Sequence, residues 1–121
     1  MAFIYHNENP YGFREEDCVC RAISFASKRD YYDIQDKLTL TGDLLECDKL
    51  CVCCYFHLLD YVFQFKRLKR AGMSVGDFAE NHPNGTYLVR MPGHITVVKD
   101  GNVYDTWDCS DKIATHIWKT E

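Results

Sequence analysis

The chain has 121 residues, of which 46% are apolar and 14% aromatic, a composition that supports one packed domain over residues 1–121 and excludes a disordered chain. Its formal net charge of −4 argues against a general nucleic-acid binder, and we interpret the basic segment KRLKR at 66–70 as a solvated edge. No stretch has the pattern of an export signal or a membrane span, so we expect a cytoplasmic protein with neither nucleic acid nor membrane as partner.

Helical patterns fill the first two thirds of the chain. Asp17 is a good N-cap residue, and apolar residues at 19, 22, 23 and 26 form one stripe after it. Further helices are predicted at 31–40, which the segment TGD ends, at 48–61, and after the capping residue Ser74. The third helix presents one face of thiols and apolar side chains, namely Cys47, Leu50, Cys51, Cys54, Leu58 and Tyr61. We expect Tyr31 and Tyr32 to be partly exposed helix aromatics.

Alternating patterns typical of strands follow the helices. They are TYLVRM, HITVVK, NVYDTW and IATHIWK, separated by the turn segments PG, DG and CSDK. This order predicts an α+β fold in which N-terminal helices pack on a C-terminal antiparallel β-sheet, with the strands forming a meander.

Two cysteines flank the apolar stripe of the first helix on opposite sides. Cys18 lies in the first turn, where free backbone N–H groups and the positive end of the helix dipole stabilise a thiolate. Cys20 lies nearly one turn further along the helix. The pattern therefore favours Cys18 as a nucleophile.

A thiolate nucleophile needs a base, and His94 is the candidate because it opens a strand directly after Gly93. If Asp100 and Gly101 form a two-residue hairpin turn, Asp105 shares a face of the ribbon with His94. A three-residue turn with a bulge would put Asp108 there instead. The residues leave both registers open.

A helix-starting Cys, a strand-starting His and an Asp in the next strand follow the chain order of the papain-like cysteine peptidase superfamily, which this sequence resembles. The segment DTW at 105–107 resembles the stretch in which papain-type enzymes carry the third catalytic residue and a shielding tryptophan. The segments DCVCRAI, HPNGTYLVRMPGHITVVKDG and VYDTWDC are also similar to short papain-like proteins from bacterial and phage genomes.

The resemblance implies a minimal papain-like fold and a cysteine hydrolase, either a peptidase, an isopeptidase or an amidase. Such an enzyme acts on a peptide or protein substrate, needs no cofactor, and would work in the cytoplasm of a bacterium or a phage-infected cell. The resemblance implies Cys18 as nucleophile, His94 as acid and base, and Asp105 rather than Asp108 as the residue that orients the imidazole. Trp107 would keep water away from the hydrogen bond between Asp105 and His94.

Papain-type enzymes place a glutamine oxyanion donor six residues before the nucleophile, and Gly12 stands at that position here. We therefore name Asn9 or Asn7 as the candidate donor, and assign Asn9 with Trp107 to substrate binding. The missing glutamine favours an alternative function. The chain would then be a papain-fold binding or inhibitory module without turnover, suited to a phage or mobile-element effector.

A zinc site is a third hypothesis. Three cysteines recur at i, i+4 and i+7, namely Cys47, Cys51 and Cys54, and Cys53 and His57 are four residues apart. A zinc ion needs four ligands, so a further one such as Cys109 would have to come from elsewhere in the chain. Free cysteine is among the most buried residue types. We therefore interpret the seven cysteines as thiols in a reducing compartment and assign no metal.

Overall fold

The computed structural model describes residues 1–10, 17–48, 51–68 and 72–120 and has an α+β fold, which confirms the predicted fold class. The helices are α1 (Cys18–Ser27), α2 (Tyr31–Leu45), α3 (Val52–His57), which a π-helical turn over Leu58–Val62 continues, and α4 (Val75–Asn81). The strands are β1 (Phe3–Tyr5), β2 (Lys66–Leu68), β3 (Thr86–Met91), β4 (His94–Lys99), β5 (Asn102–Asp105) and β6 (His116–Lys119).

The six described strands form one sheet in the order β1-β5-β4-β3-β6-β2. Strands β3, β4 and β5 form the predicted meander, but β6 pairs with β3 and not with β5, so the meander is wrong for the last strand. The outer edge of β5 is taken by β1, which runs parallel to it. A segment of three residues is too short to show an alternating pattern, and β1 was therefore not predicted.

Both faces of the sheet are covered. Ile95 and Val97 of β4 face the core formed with α1, α2 and α3, while Val98 faces a second core formed with α4. This alternation follows from the two-residue period of a strand. It makes β4 a buried central strand, and it puts the first residue of β4, His94, on the Val98 face at the end of the strand.

The turn between β4 and β5 has two residues. Asp100 and Gly101 both have positive φ angles, 50° and 80°, as a type I′ turn requires, and Lys99 pairs with Asn102. A Cβ atom at position 101 would lie 3.3 Å from the Cα of Pro83, so glycine also fits the packing there. The two-residue register is the one that puts Asp105 on the same face as His94.

Two helices differ from their predicted limits. The segment TGD does not end α2, which continues to Leu45, because Thr41 and Gly42 are buried and extend the apolar face of Ile34 and Leu38. The Thr41 hydroxyl donates to the Lys37 carbonyl within the helix. The third helix begins at Val52, and its extra π-helical residue rotates the following side chains by about 100°. Tyr61, predicted to be in the core, is therefore 71% exposed. Leu50 lies outside the described residues.

Ser74 caps α4 as predicted, since its hydroxyl accepts from the Asp77 N–H at 3.1 Å. Lys66 and Arg67 lie exposed on β2, the edge strand, which agrees with the solvated edge predicted for the basic segment; residues 69 and 70 are outside the described part. Across the described ranges, no helix combines the length and apolarity needed to cross a membrane.

Candidate active site

Three ends of secondary structure meet at one place. Cys18 is the first residue of α1, His94 is the first residue of β4, and Asp105 is the last residue of β5. The His94 Nε2 atom lies 2.7 Å from the Asp105 Oδ2 atom, and His94 lies near enough to Cys18 to lower the pKa of its thiol. The structure thus brings the three predicted catalytic side chains together at one place, with a hydrogen bond between His94 and Asp105.

The environment of Cys18 favours a thiolate. Burial by itself would raise the pKa of Cys18, but the hydrogen bond and the positive charge of His94 outweigh it and lower this pKa below its ordinary value of 9.0. The Arg21 guanidinium adds a smaller effect in the same direction. The result is a sulfur that is negatively charged at a lower pH than an ordinary cysteine.

The environment of His94 favours the imidazolium. Burial alone would lower its pKa, yet hydrogen bonds to Asp105, Cys109 and Cys18 raise the pKa of His94 to about 11. Burial would likewise raise the pKa of Asp105, but hydrogen bonds from His94 and Thr96 hold that pKa below its usual range. The site is therefore a row of alternating charges, thiolate, imidazolium and carboxylate.

Trp107 lies against the histidine of this row. Its ring centroid is 4.8 Å from that of His94, with the two planes tilted by 46°. The side chain is 40% exposed, so one side of the indole faces solvent while the other covers the imidazole. This position agrees with the shielding role that the resemblance implies for Trp107.

Asp17, directly before Cys18, is the centre of a buried polar network. Its carboxylate accepts hydrogen bonds from Arg21 Nε at 2.8 Å, from the Tyr31 hydroxyl at 2.9 Å and from Asn9 Nδ2 at 3.0 Å. Asp17 is the N-cap residue of α1 as predicted, but its side chain makes no capping hydrogen bond, because these three donors hold the carboxylate away from the helix N–H groups. Tyr31, predicted to be partly exposed, is buried by the same network.

Arg21 links this network to the third member of the row. Its Nη1 atom lies 3.5 Å from Asp105 Oδ1 and donates to the Thr106 hydroxyl at 3.1 Å. Asp17 and Arg21 have the i, i+4 spacing of a helical ion pair, which is a signal in the local sequence. The contact with Asp105 carries no local signal, since the two residues are 84 positions apart.

The structure places the other residues considered in the sequence as follows. Cys20 is buried and its thiol donates to the Tyr31 carbonyl at 3.3 Å, away from His94. Asp108 is exposed and accepts from the Ser110 hydroxyl and N–H. Asn9 is buried against Asp17, so its role as a substrate or oxyanion donor stays a prediction; Gly12 lies outside the described residues.

Cys109 was not predicted to belong to this site. It is fully buried, and its sulfur lies 3.8 Å from Asp105 Oδ2. The chain turn after β5 brings it there, four residues beyond Asp105, and the predicted strand over residues 102–107 gave no reason to expect it.

A small cleft of about 10 Å³, the space of one water-sized group, opens beside Cys18 between α1 and the β4–β5 hairpin. Its polar lining comes from His6, Glu8, Arg21, Thr96 and Asp105, and its apolar lining from Ala22, Phe25, Ile95, Val97 and Tyr104. The Cys18 sulfur therefore lies at the edge of a cleft and is not enclosed in the core.

The pH dependence of alkylation tests this description of the charges. Only a thiolate reacts with iodoacetamide, and the thiolate is lost as the pH falls through the pKa of the thiol. Because the pKa of Cys18 is lowered, its alkylation rate is expected to reach half its maximum at a pH below 9.0. Peptide mapping with fragment ions separates Cys18 from Cys20 and from the other cysteines.

Asp105→Asn is the matched variant for that experiment. Removing the carboxylate charge lowers the pKa of His94, so the imidazole is less often protonated. With less positive charge beside it, the thiol of Cys18 has a higher pKa. The half-maximal pH is expected to move upward. Identical profiles for the two proteins would contradict the coupling between Asp105 and the thiol.

Comparison with protein-family models, with curated proteins and with solved structures finds no match for this chain. The chemistry of the site is therefore inferred from its side chains.

Proposed function

We propose that the protein is a papain-like cysteine hydrolase that works through an acyl-enzyme formed on Cys18. The observation that supports this most is the meeting of Cys18, His94 and Asp105, in which Asp105 holds the His94 ring at 2.7 Å, the pKa of the Cys18 thiol is lowered and that of the imidazole is raised. A purely structural cysteine has no need of a charged partner, whereas a nucleophile does.

In the first step the Cys18 thiolate attacks the carbonyl carbon of an amide or ester, and the carbon–oxygen π electrons move to the oxygen. The imidazolium of His94 then gives its proton to the leaving nitrogen or oxygen as the bond to carbon breaks. With Nε2 held by Asp105, Nδ1 is the nitrogen that carries this proton. The product is a thioester on Cys18 and a free amine or alcohol.

In the second step His94, now neutral, takes a proton from water as the water oxygen attacks the thioester. The thiolate of Cys18 leaves and the carboxylic acid is released. Asp105 holds the imidazole in one orientation through both steps, and Arg21 in turn holds Asp105.

The oxyanion of each step needs donors. The backbone N–H of Cys18 is one candidate, because the first N–H groups of α1 have no acceptor within the helix. Asn9 or Asn7 stays the predicted second donor.

The substrate class that we propose is a peptide or protein amide, with the scissile carbonyl carbon placed at the cleft beside Cys18. All seven cysteines are free thiols. A nucleophilic thiolate must also stay reduced to act, so we place the reaction in a reducing compartment, the cytoplasm.

A generic acyl donor tests this function without knowledge of the substrate. On mixing with p-nitrophenyl acetate, the protein is expected to release one equivalent of nitrophenolate in a burst and to carry an acetyl group that peptide mapping assigns to Cys18. The burst is expected to disappear in Cys18→Ala and to persist in Cys20→Ala, whose thiol lies outside the site.

An equal burst in both variants would contradict the proposal. Absence of any acetyl group on Cys18 in the unmodified protein would also contradict it, and would favour the alternative of a binding module without turnover.

A further inference from the structure

Four cysteine thiols meet where α2 ends and α3 begins. The Cys47 Sγ atom lies 2.9 Å from Cys53 Sγ and 3.3 Å from Cys54 Sγ, and Cys53 Sγ lies 3.0 Å from Cys51 Sγ. The sulfurs of Cys47, Cys51 and Cys53 all lie within 4.8 Å of one another. We call these four residues the thiol cluster; it takes no part in the site around Cys18.

Burial does not explain the thiol cluster. The interpretation of these cysteines as core side chains holds for Cys54, which is fully buried, but Cys53 is exposed and Cys47 and Cys51 are half-buried. Exposed thiols add little packing energy, and close contacts between weak sulfur donors and acceptors add little more. The convergence of the four sulfurs thus calls for a ligand that binds sulfur.

The backbone holds the cluster from two sides. Cys47 follows Glu46, a residue with a positive φ of 55°, and its N–H donates to the Gly42 carbonyl at 2.9 Å in the turn that ends α2. Cys51 immediately precedes α3, and Cys53 and Cys54 lie in its first turn. The ligands therefore come from a turn and a helix. Two separate backbone segments can surround a metal ion tetrahedrally more easily than side chains of one helix can.

The spacing also fits a metal site. Residues 51–54 have the pattern C-x-x-C, which recurs in structural zinc sites. Cys109, considered as a distant ligand, lies against Asp105 instead, and the His57 ring packs against Tyr61. Cys54, within this pattern and close to Cys47, is the fourth sulfur.

We propose that Cys47, Cys51, Cys53 and Cys54 bind one zinc ion through their thiolates. Each thiol releases its proton to solvent as it binds, so the reaction needs no oxidant or reductant. A zinc–sulfur distance of about 2.3 Å implies sulfur–sulfur separations of about 3.8 Å. The pairs at 2.9, 3.3 and 3.0 Å must then move apart by less than about 1 Å, and Cys54, which lies outside the group of sulfurs within 4.8 Å of one another, must move inward by about 1 Å or more. Cys54 then gives up its hydrogen bond to the Asp48 carbonyl, which keeps the bond from the Cys51 N–H.

A zinc ion with four protein ligands is structural, since no coordination position is left for a substrate. Here it would join the end of α2 to the start of α3, and both helices pack on the sheet face that α1 also covers. The ion would thus stabilise the helical layer next to the site without entering its chemistry.

The test measures metal content in the intact chain, purified without a histidine tag after growth with added zinc. Elemental analysis is expected to give about one zinc per chain in the unmodified protein and in Cys20→Ser, a matched change outside the cluster. In Cys47→Ser and Cys53→Ser it is expected to fall below about 0.2 per chain. These two positions are half-buried and exposed, so the folded chain should accept serine there. Replacing zinc by cobalt should give the visible bands of a tetrahedral thiolate complex.

Several results would overturn the proposal. One is a zinc content in Cys47→Ser equal to that in Cys20→Ser, and another is copper in place of zinc. A third is an intact mass, measured without reductant, that lacks two hydrogens because the cluster forms a disulfide. None of these measurements depends on the activity of Cys18, so they do not bear on the proposed hydrolase function.

Discussion

Replacing His94 by alanine is expected to slow the acylation of Cys18 by p-nitrophenyl acetate by about 10³-fold at pH 7, within the range that a positioned acid–base residue contributes. Two effects combine. The thiolate loses the imidazolium that lowers its pKa, so most of the sulfur is protonated at this pH, and the leaving group loses its proton donor. The burst rate of nitrophenolate release measures the loss.

The same variant separates a catalytic from a structural role of the histidine. Above pH 9.0, the ordinary pKa of a thiol, Cys18 in His94→Ala becomes a thiolate without help, so alkylation by iodoacetamide should return to the rate of an ordinary cysteine. In a misfolded protein the buried Cys20 would be alkylated at the same ordinary rate as Cys18, whereas in a folded variant Cys20 stays protected.

His57→Ala is the control, because that ring packs against Tyr61 and is no part of the site. Its burst should equal that of the unmodified protein. If His94→Ala retained more than about a tenth of the original acylation rate at pH 7, His94 would not be the acid–base residue.

Asp17→Ala is expected to lower the free energy of unfolding by about 3–5 kcal/mol, the cost typical of removing one member of a buried ion pair. Arg21 is only 8% exposed, and the change leaves its Nε, the Tyr31 hydroxyl and the Asn9 amide without their common acceptor. Urea unfolding followed by circular dichroism measures the difference.

Asp33→Ala is the matched surface variant. Asp33 also pairs with two cations, Arg29 at 3.8 Å and Lys37 at 3.3 Å, but its side chain is 41% exposed. Exposed pairs contribute below about 1 kcal/mol, so this change should cost far less. Equal costs for the two variants would contradict the view that the Asp17 network holds the start of α1 in place.

Asp17→Ala/Arg21→Met gives a second measure in case the single variant unfolds. Removing both charges and filling the space with an apolar side chain should recover part of the lost stability, because the guanidinium that lost its closest carboxylate is no longer buried. It should not restore the position of Asp105, which then lacks its contact with Arg21. The burst on Cys18 is therefore expected to stay below that of the unmodified protein.

Local patterns predicted the parts of the fold that local interactions decide. The apolar stripe after Asp17 predicted α1, and the Asp100–Gly101 pair limited the hairpin to two registers, of which the structure has the one compatible with Asp105. Side-chain period and turn chemistry involve neighbours within a few residues, so they can be read directly. For the same reason α4 and its cap at Ser74 were predicted correctly.

Patterns that depend on distant partners were misread. Asp17 has the composition of a cap, but a buried acceptor prefers the guanidinium of Arg21 and the Tyr31 hydroxyl once the fold supplies them. The core face predicted for the third helix holds for Cys54, which is buried, but Cys47 and Cys51 are half-buried where α2 and α3 meet. Both outcomes depend on where the fold places these elements relative to their neighbours.

The sequence by itself determined which residues could do chemistry: a cysteine at a helix start, a histidine at a strand start and an aspartate one hairpin later. These positions follow from short-range periodicity, and each brings its own side-chain chemistry. Only the tertiary structure decided that the three side chains meet, that Arg21 supports Asp105, and that the thiols near the ends of α2 and α3 converge. The first two join residues far apart in the chain, and all three depend on how the helices and the sheet pack, which local periodicity does not encode.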